Sequence, residues 1–178
     1  AYAAALLLDG GLLLARPDLR AAEETLRRWL NAASLVRPGA DGGEVVVVAD
    51  PTATAVQALV RWDPAGFAER ELAERAAVHL PPAARVAALE GAADAVHDLV
   101  GLADLPASAE VLGPVPVEEP PAGPPRAEPD VPTVRTLVRV PPTDGAALSA
   151  ALHAAAGVRS ARKARDPVTV RIDPQVLG

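Results

Sequence analysis

The sequence predicts two structural segments, an α/β segment over residues 1–62 and an α+β segment over residues 63–178. The first prediction rests on two apolar runs, typical of buried parallel strands, that flank one amphipathic helix. The second rests on strand and helix patterns that follow one another in the order β-α-β-β-α-β. The chain has 178 residues, 50% of them hydrophobic, which is ample for one core and marginally enough for two small ones.

The α/β segment begins with a continuous apolar run, Ala3–Leu8, that ends at a glycine-containing turn. Apolar residues then recur every three or four positions over Leu19–Ala33, which predicts a helix with one buried face. A second strand, Glu44–Ala49, carries four consecutive valines. Because a parallel sheet needs helices on both faces, we expect sequence upstream of Ala1 to complete this α/β layer, of which residues 1–62 form half. The absence of an initiator methionine also favours a chain cut from a longer protein.

Two helices are predicted where the segments meet. The first is short, Ala55–Trp62, with Thr52 or Thr54 as its N-terminal cap. The second is the connecting helix within residues 63–82. It starts at Asp63-Pro64, a carboxylate cap followed by a proline in the first turn, and it stops before two further prolines.

The α+β segment contains four strand patterns and two helix patterns. In chain order they are Arg85–Leu89 (strand), Ala92–Ala103 (helix), Glu110–Val117 (strand), Val134–Val140 (strand), Asp144–Ala156 (helix) and Val168–Asp173 (strand). This order predicts the ferredoxin-like, or split βαβ, arrangement, in which two right-handed crossovers place both helices on one face of an antiparallel sheet. Residues 118–132 are rich in proline and poor in large apolar groups, which predicts a flexible loop.

Three phrases of the sequence occur in a fixed order: WDPAGFAERELAERAAVHLPPAARVAAL from Trp62, VLGPVP from Val111, and VTVRIDP ending at Pro174. They resemble the C-terminal part of the primosomal protein N′ family, the bacterial replication-restart helicases. That family carries a DxxxFAxxELxxRxxxxxPP helix, a VLGPVP strand and a terminal strand closing on DP. The resemblance covers nearly the whole chain. It implies that residues 1–62 are the C-terminal part of the second, RecA-like helicase lobe and that residues 63–178 are a DNA-binding domain.

The resemblance also implies a function. We expect the chain to bind branched DNA at stalled or abandoned replication forks, in support of replisome reloading, with forked or single-stranded DNA and other primosome proteins as partners. The alternative is a protein-interaction module of the primosome that makes no direct DNA contact. A net charge of −6 favours this alternative, because domains that coat nucleic acid usually have a basic excess. Any DNA contact must therefore be local.

The family's longer proteins resemble ATP-dependent DNA helicases, so ATP, magnesium and zinc are expected upstream of this chain, and no cofactor is expected within it. Where the family carries QxxGRAGR, this chain has NAASLVRPGADGGEVVV, and only Arg37 remains of the motif. Arg37 is the single candidate nucleotide contact. The alternative is a solvated cation near the C-terminal end of a helix. We expect no enzyme activity from this chain alone.

Other catalytic and metal-binding patterns are absent from the sequence. The three histidines, at positions 79, 97 and 153, share no metal-ligand spacing, and there is no cysteine. The glycine pairs form neither GxGxxG nor GxxxxGK[ST], so no phosphate-binding loop is predicted. No catalytic residue is proposed. No apolar run approaches the roughly 20 residues of a membrane helix, and we expect a cytoplasmic protein.

One dense basic cluster lies between the last predicted helix and the last strand. It consists of Arg159, Arg162, Lys163 and Arg165. Phosphate contacts require charge rather than sequence-specific geometry, so these four residues are the candidate nucleic-acid contacts. The alternative is that they stabilise the helix end while Asp166 and Asp173 neutralise two of them. Three further arginines are expected to extend the patch: Arg126, Arg135 and Arg139.

Overall fold

A computed structural model of the chain describes residues 1–117 and 132–174. The flexible loop predicted over residues 118–132 lies outside the described residues, except for its last position. The chain divides into two compact units, the first of residues 1–74 and the second of residues 75–174. The boundary between the units falls within a single helix, Pro64–Ala77.

The first unit is built from two strands and four helices. In chain order these are β1 (Ala4–Leu7), α1 (Gly10–Leu14), α2 (Ala21–Ala33), β2 (Glu44–Val47), α3 (Thr54–Arg61) and α4 (Pro64–Ala77). Strands β1 and β2 pair in parallel with Leu6 opposite Val46, and both strands were predicted. Helix α1 was not predicted, because its Gly-Gly start is typical of a turn.

The core of the first unit lies on one side of the parallel strand pair. Leu7 of β1 packs with Leu26 and Trp29 of α2 and with Leu59 of α3. On the other side, Leu6 is 67% exposed, and Val46, which lies opposite it on β2, is 39% exposed. No element of the described part of the unit covers this second side. Helices of this unit therefore cover the parallel strand pair on one side only.

The two predicted helix caps have different outcomes. Helix α3 has no side-chain cap, so the prediction of Thr52 or Thr54 as its cap is wrong. The Asp50 carboxylate instead accepts hydrogen bonds from the Thr52 backbone N–H (2.8 Å) and hydroxyl (2.7 Å), which lower the pKa of Asp50. The Asp63 cap of α4 is confirmed, because Asp63 Oδ1 accepts the Gly66 N–H at 2.8 Å.

The second unit contains a four-stranded sheet and two long helices. Its elements are β3 (Arg85–Ala92), α5 (Ala93–Leu102), β4 (Glu110–Pro116), β5 (Thr133–Val140), α6 (Gly145–Ala161) and β6 (Val168–Ile172). The strand order is β4-β5-β3-β6, and every neighbouring pair is antiparallel. Strand β4 contains the phrase VLGPVP. It lies at the edge and its register shifts between Leu112 and Val115.

Helices α5 and α6 pack against the same face of this sheet. Their inward side chains form one cluster with those of β3 and β5, and its most buried members are Ala87, Leu89, Leu99, Val138 and Leu148. The cluster explains the alternating burial along β5, whose even-numbered residues from 134 to 140 are buried. The opposite face of the sheet carries no helix from this cluster.

Helix α6 is longer than the sequence predicts. The prediction ended it at Ala156, before Gly157, but the helix continues to Ala161. Its buried residues are Leu148, Leu152, Ala155 and Arg159. These positions follow one helical face, so Arg159 continues the apolar stripe of the helix. The sequence pattern hid this continuation because an arginine is rarely buried.

Candidate nucleic-acid interface

The basic cluster begins on the last turn of α6 and continues into a tight turn. Arg162 caps the helix, and the next residue, Lys163, has the left-handed backbone conformation (φ 53°). The Lys163 N–H donates to the Ser160 carbonyl (3.0 Å), and the Ala164 N–H donates to the Arg159 carbonyl (3.1 Å). This pair of bonds is the Schellman motif, in which glycine is the usual left-handed residue. Backbone geometry therefore fixes the direction in which the chain leaves the helix.

Three side chains of the cluster are exposed at this turn: Arg162, Lys163 and Arg165. We refer to these three residues as the basic turn. Within residues 1–117 and 132–174, no carboxylate forms an ion pair with any of them. The basic turn thus presents three cations to solvent within four consecutive positions. Such an arrangement is suited to a flexible polyanion such as a phosphate backbone.

Arg159, the fourth predicted contact, lies in a different environment. It is only 8% exposed, and its guanidinium forms an ion pair with the Asp98 carboxylate of α5. Its other terminal nitrogen donates to the Asp166 backbone carbonyl at 2.8 Å. Arg159 therefore joins α6 to α5 and to the far end of the turn, and its charge is already paired with that of Asp98. Sequence reasoning missed this role because burial depends on the neighbouring helix.

The two aspartates that were expected to neutralise the cluster have other partners. Asp166 contributes its backbone carbonyl to Arg159. The Asp173 carboxylate pairs with Arg85 and accepts the Val86 N–H at 3.1 Å. Asp173 is therefore held by β3 at the other end of β6. In the part of the chain that the structure describes, neither carboxylate is paired with the basic turn.

Two of the three arginines expected to extend the patch, Arg135 and Arg139, lie on the sheet face opposite α5 and α6, and carboxylates pair with them there. Glu90 forms ion pairs with Arg135 (2.8 Å) and with Arg171 (3.1 Å). Glu110 pairs with Arg139 at 2.6 Å. The spacing of the arginines along β5 predicts their shared face, but the facing glutamates depend on strand register. Arg126, the third of these predictions, lies outside the described residues.

Arg37, the candidate nucleotide contact, lies in the loop between α2 and β2. It is exposed, and its guanidinium donates a long hydrogen bond (3.4 Å) to the Gly42 carbonyl. Its backbone N–H donates to the Tyr2 carbonyl at 2.9 Å. Gly43 packs so closely on the Arg37 carbonyl that a Cβ would lie 1.8 Å from the oxygen. The loop is therefore tight, and the nucleotide role stays a prediction.

The described residues contain no group of three or more His, Asp or Glu side chains arranged to hold a metal ion. The His79 imidazole lies 3.7 Å from Glu110, beside a cavity of about 270 Å³ that Ser108 and Arg139 also line. Arg139 and Glu110 pair with each other across this cavity, so it presents no unpaired charge of either residue to a ligand. Among the described helices, none combines the length and apolar character needed to cross a membrane.

A model of the primosomal protein N C-terminal domain matches residues 76–175. The chain belongs to this family. The prediction made from the three sequence phrases is thereby confirmed. The matched range of the primosomal protein N C-terminal domain begins one residue after the start of the second compact unit.

Curated relatives match almost the entire chain. It is 49% identical over 180 residues to the probable replication restart protein PriA of Mycobacterium leprae (strain TN), covering 99% of this chain and 27% of the relative. It is also 49% identical over 187 residues to the protein of the same name from Mycobacterium tuberculosis (strain CDC 1551 / Oshkosh), covering 99% of this chain and 28% of the relative. The chain thus spans about a quarter of the length of these relatives, in their C-terminal part.

Proposed function

We propose that this chain is the C-terminal part of a replication-restart protein and that it binds branched DNA at stalled or abandoned replication forks. In this role it supports replisome reloading. The basic turn is the observation that carries the proposal, because Arg162, Lys163 and Arg165 are exposed and unpaired by any described carboxylate. Family membership and the names of the two relatives support the restart role.

The architecture proposed for the DNA-binding domain, residues 63–178, is the ferredoxin-like, split βαβ arrangement. The order of elements along the chain and the strand order β4-β5-β3-β6 support it. Residues 1–62 are proposed as the tail of the second helicase lobe. The parallel β1–β2 pair, covered on one side by helices, supports this assignment.

Electrostatics restrict the form that DNA binding takes here. The net charge of −6 opposes DNA binding through the overall field, so affinity depends on a small number of local cations. Contacts with phosphates need no base-reading geometry, and a turn of three cations supplies them regardless of sequence. We therefore expect structure-selective rather than sequence-selective binding, with the fork's geometry determining how many phosphates reach the turn.

The backbone conformation of Lys163 also supports the proposal. Lys163 occupies the left-handed position of a Schellman motif, where a side chain with a Cβ costs about 1 kcal/mol relative to glycine. A locally unfavourable residue persists at a site where folding stability and function make different demands. Glycine would fit this position better, but it would not supply the positive charge of Lys163.

Replacing Lys163 by glycine tests folding stability and DNA binding separately. We expect Lys163→Gly to leave the free energy of unfolding within about 0.5 kcal/mol of the wild type or to raise it, because glycine fits the turn. The affinity for forked DNA is expected to fall about eightfold at 0.1 M monovalent salt, the factor that a salt slope of about 0.9 per phosphate contact gives. Fluorescence anisotropy with a labelled fork measures the affinity. Far-UV circular dichroism during unfolding measures the free energy of unfolding.

Lys163→Arg is the matched control, because it keeps both the positive charge and the Cβ at the same backbone position. It is expected to bind forked DNA as the wild type does. Equal affinity of the glycine variant and the arginine variant would remove Lys163 from the interface.

The alternative function is a protein-interaction module of the primosome with no direct DNA contact. The pairing of Arg135, Arg139 and Arg171 with glutamates favours it, because these arginines leave the sheet face nearly neutral. Under this alternative, forked DNA would not bind even at low salt.

Activities of the longer protein are proposed to lie outside this chain. ATP hydrolysis, with its magnesium ion, and zinc binding belong to the remaining three quarters of the relatives' length. In this chain, the segment around Arg37 has neither the Gln nor the repeated Gly-Arg of QxxGRAGR. An arginine that acts on a transferring phosphate must be held rigidly at the developing charge. The long hydrogen bond of Arg37 to the Gly42 carbonyl supports no such role for this segment.

A further inference from the structure

We propose that Arg159 is a positioning residue that holds the basic turn in its binding geometry, with Asp98 as the anchor on α5. This inference rests on the proposed function, because it assigns a cause to the geometry of the proposed DNA contact. It changes the role of Arg159 from a phosphate contact to a buried support.

The contacts of Arg159 tie together three parts of the second unit. Its side chain emerges from the last turn of α6, its guanidinium pairs with Asp98 of α5, and it donates to the Asp166 carbonyl beyond the turn. Its own carbonyl accepts the Ala164 N–H, which closes the Schellman motif. Arg159 precedes Lys163 and bonds to Ala164 and Asp166 after it, so these bonds span the strained residue of the turn.

The energetics favour a clamp over a passive ion pair. A buried guanidinium that loses its carboxylate is left with an uncompensated charge, so it must move toward water or toward another acceptor. Since Arg159 is also bonded to the Asp166 carbonyl, such movement shifts the segment between Lys163 and Asp166. The exposed cations of the turn then no longer keep their fixed spacing, and fewer phosphates are bound at once.

Asp98→Asn tests the proposal, because the proposal and overall charge predict opposite changes in the affinity for forked DNA. Removing a carboxylate from an acidic chain should strengthen DNA binding if charge alone matters. If Asp98 anchors the clamp, Asp98→Asn instead weakens fork binding at 0.1 M salt by up to about eightfold, the factor that one phosphate contributes. Asp104→Asn is the matched control, because Asp104 is exposed and forms no ion pair with any described residue.

A second measurement does not depend on DNA. Amide hydrogen exchange of Lys163 and Ala164, followed by NMR on the free chain, reports directly on the Schellman bonds. Asp98→Asn is expected to accelerate exchange at these two amides about tenfold, the ratio expected for removal of one charge-assisted bond. Arg159→Leu, which keeps the apolar face of α6, is expected to do the same.

Faster exchange in both variants together with weaker fork binding by Asp98→Asn would support the proposal. Unchanged exchange at Lys163 and Ala164, or fork binding by Asp98→Asn that is equal to or tighter than that of the wild type, would overturn it. If the wild-type chain binds no forked DNA at low salt, the proposed function fails instead. The exchange measurement then decides alone whether Arg159 holds the turn.

Discussion

Replacing both Arg162 and Lys163 by glutamate is expected to lower the affinity of the chain for forked DNA by about 60-fold or more at 0.1 M salt. The variant no longer neutralises two phosphates, and each contributes a factor of about 8 at this salt concentration. The new carboxylates add repulsion at the same position. The loss of affinity depends on the position of the two residues as well as on their charge, because both side chains are exposed at the basic turn. Fluorescence anisotropy with a labelled fork measures it.

A matched control removes the same charge elsewhere. Arg16 and Arg61 are exposed residues of the first unit and pair with no carboxylate in the described ranges, so Arg16→Glu with Arg61→Glu produces the same net charge. We expect this control to weaken fork binding only slightly, because it leaves all three cations of the basic turn in place. Equal weakening by the two double variants would mean that overall charge, rather than the basic turn, determines affinity.

Replacing Leu148 by alanine is expected to lower the free energy of unfolding of the second unit by about 3 to 4 kcal/mol. Leu148 is fully buried (0% exposed) in the cluster that α6 forms with β3 and β5. Alanine leaves a cavity, because the strands on the other side of the cluster are fixed by their ladder of hydrogen bonds. The same variant is expected to disturb the basic turn only through the position of α6.

Urea unfolding followed by circular dichroism or by NMR measures this decrease. Both tryptophans, Trp29 and Trp62, lie in the first unit, so their fluorescence does not report directly on the second. Val158→Ala is the control on the same helix, since Val158 is 39% exposed and alanine is the better helix former. If Leu148→Ala cost no more than Val158→Ala, the cluster would not be the core of this unit.

The secondary structure of the chain could largely be predicted from the sequence. Apolar runs located β1 and β2, because burial imposes this pattern directly. The ends of elements could not all be predicted. Helix α6 extends beyond Ala156 because its buried face includes Arg159, whose burial depends on Asp98 of another helix. Strand register, and therefore the pairs of Glu90 with Arg135 and Arg171, depends on the assembled sheet.

The position of the basic turn could be predicted from the sequence, and its role in DNA binding stays a prediction. Charge density alone located Arg162, Lys163 and Arg165, and the structure finds them exposed on one turn. The left-handed conformation of Lys163 could not be predicted, because the Schellman position is usually recognised by a glycine. No sequence signal separates Arg159 from the other three cations either. In sequence all four are basic residues near a helix end, and only tertiary packing distinguishes them.

The family could be recognised from three short phrases, and this prediction is confirmed. The phrases themselves have structural explanations. Asp63 caps α4, and VLGPVP forms the bulged edge strand β4, where Gly113 has a φ of 103°. A Cβ at Gly113 would lie 2.9 Å from the Arg135 carbonyl, which explains why the phrase requires glycine there. Family recognition thus rests on the scaffold, while the proposed DNA contact rests on the basic turn.

A salt titration of fork binding by the wild-type chain tests most directly whether the basic turn binds DNA. If its three cations contact three phosphates, the logarithm of the association constant falls against the logarithm of salt concentration with a slope of about −2.7. We expect this slope for the wild type and a slope closer to zero by about 0.9 for Lys163→Gly. An absence of binding at low salt, or a wild-type slope that Lys163→Gly leaves unchanged, would contradict the proposed role of the basic turn.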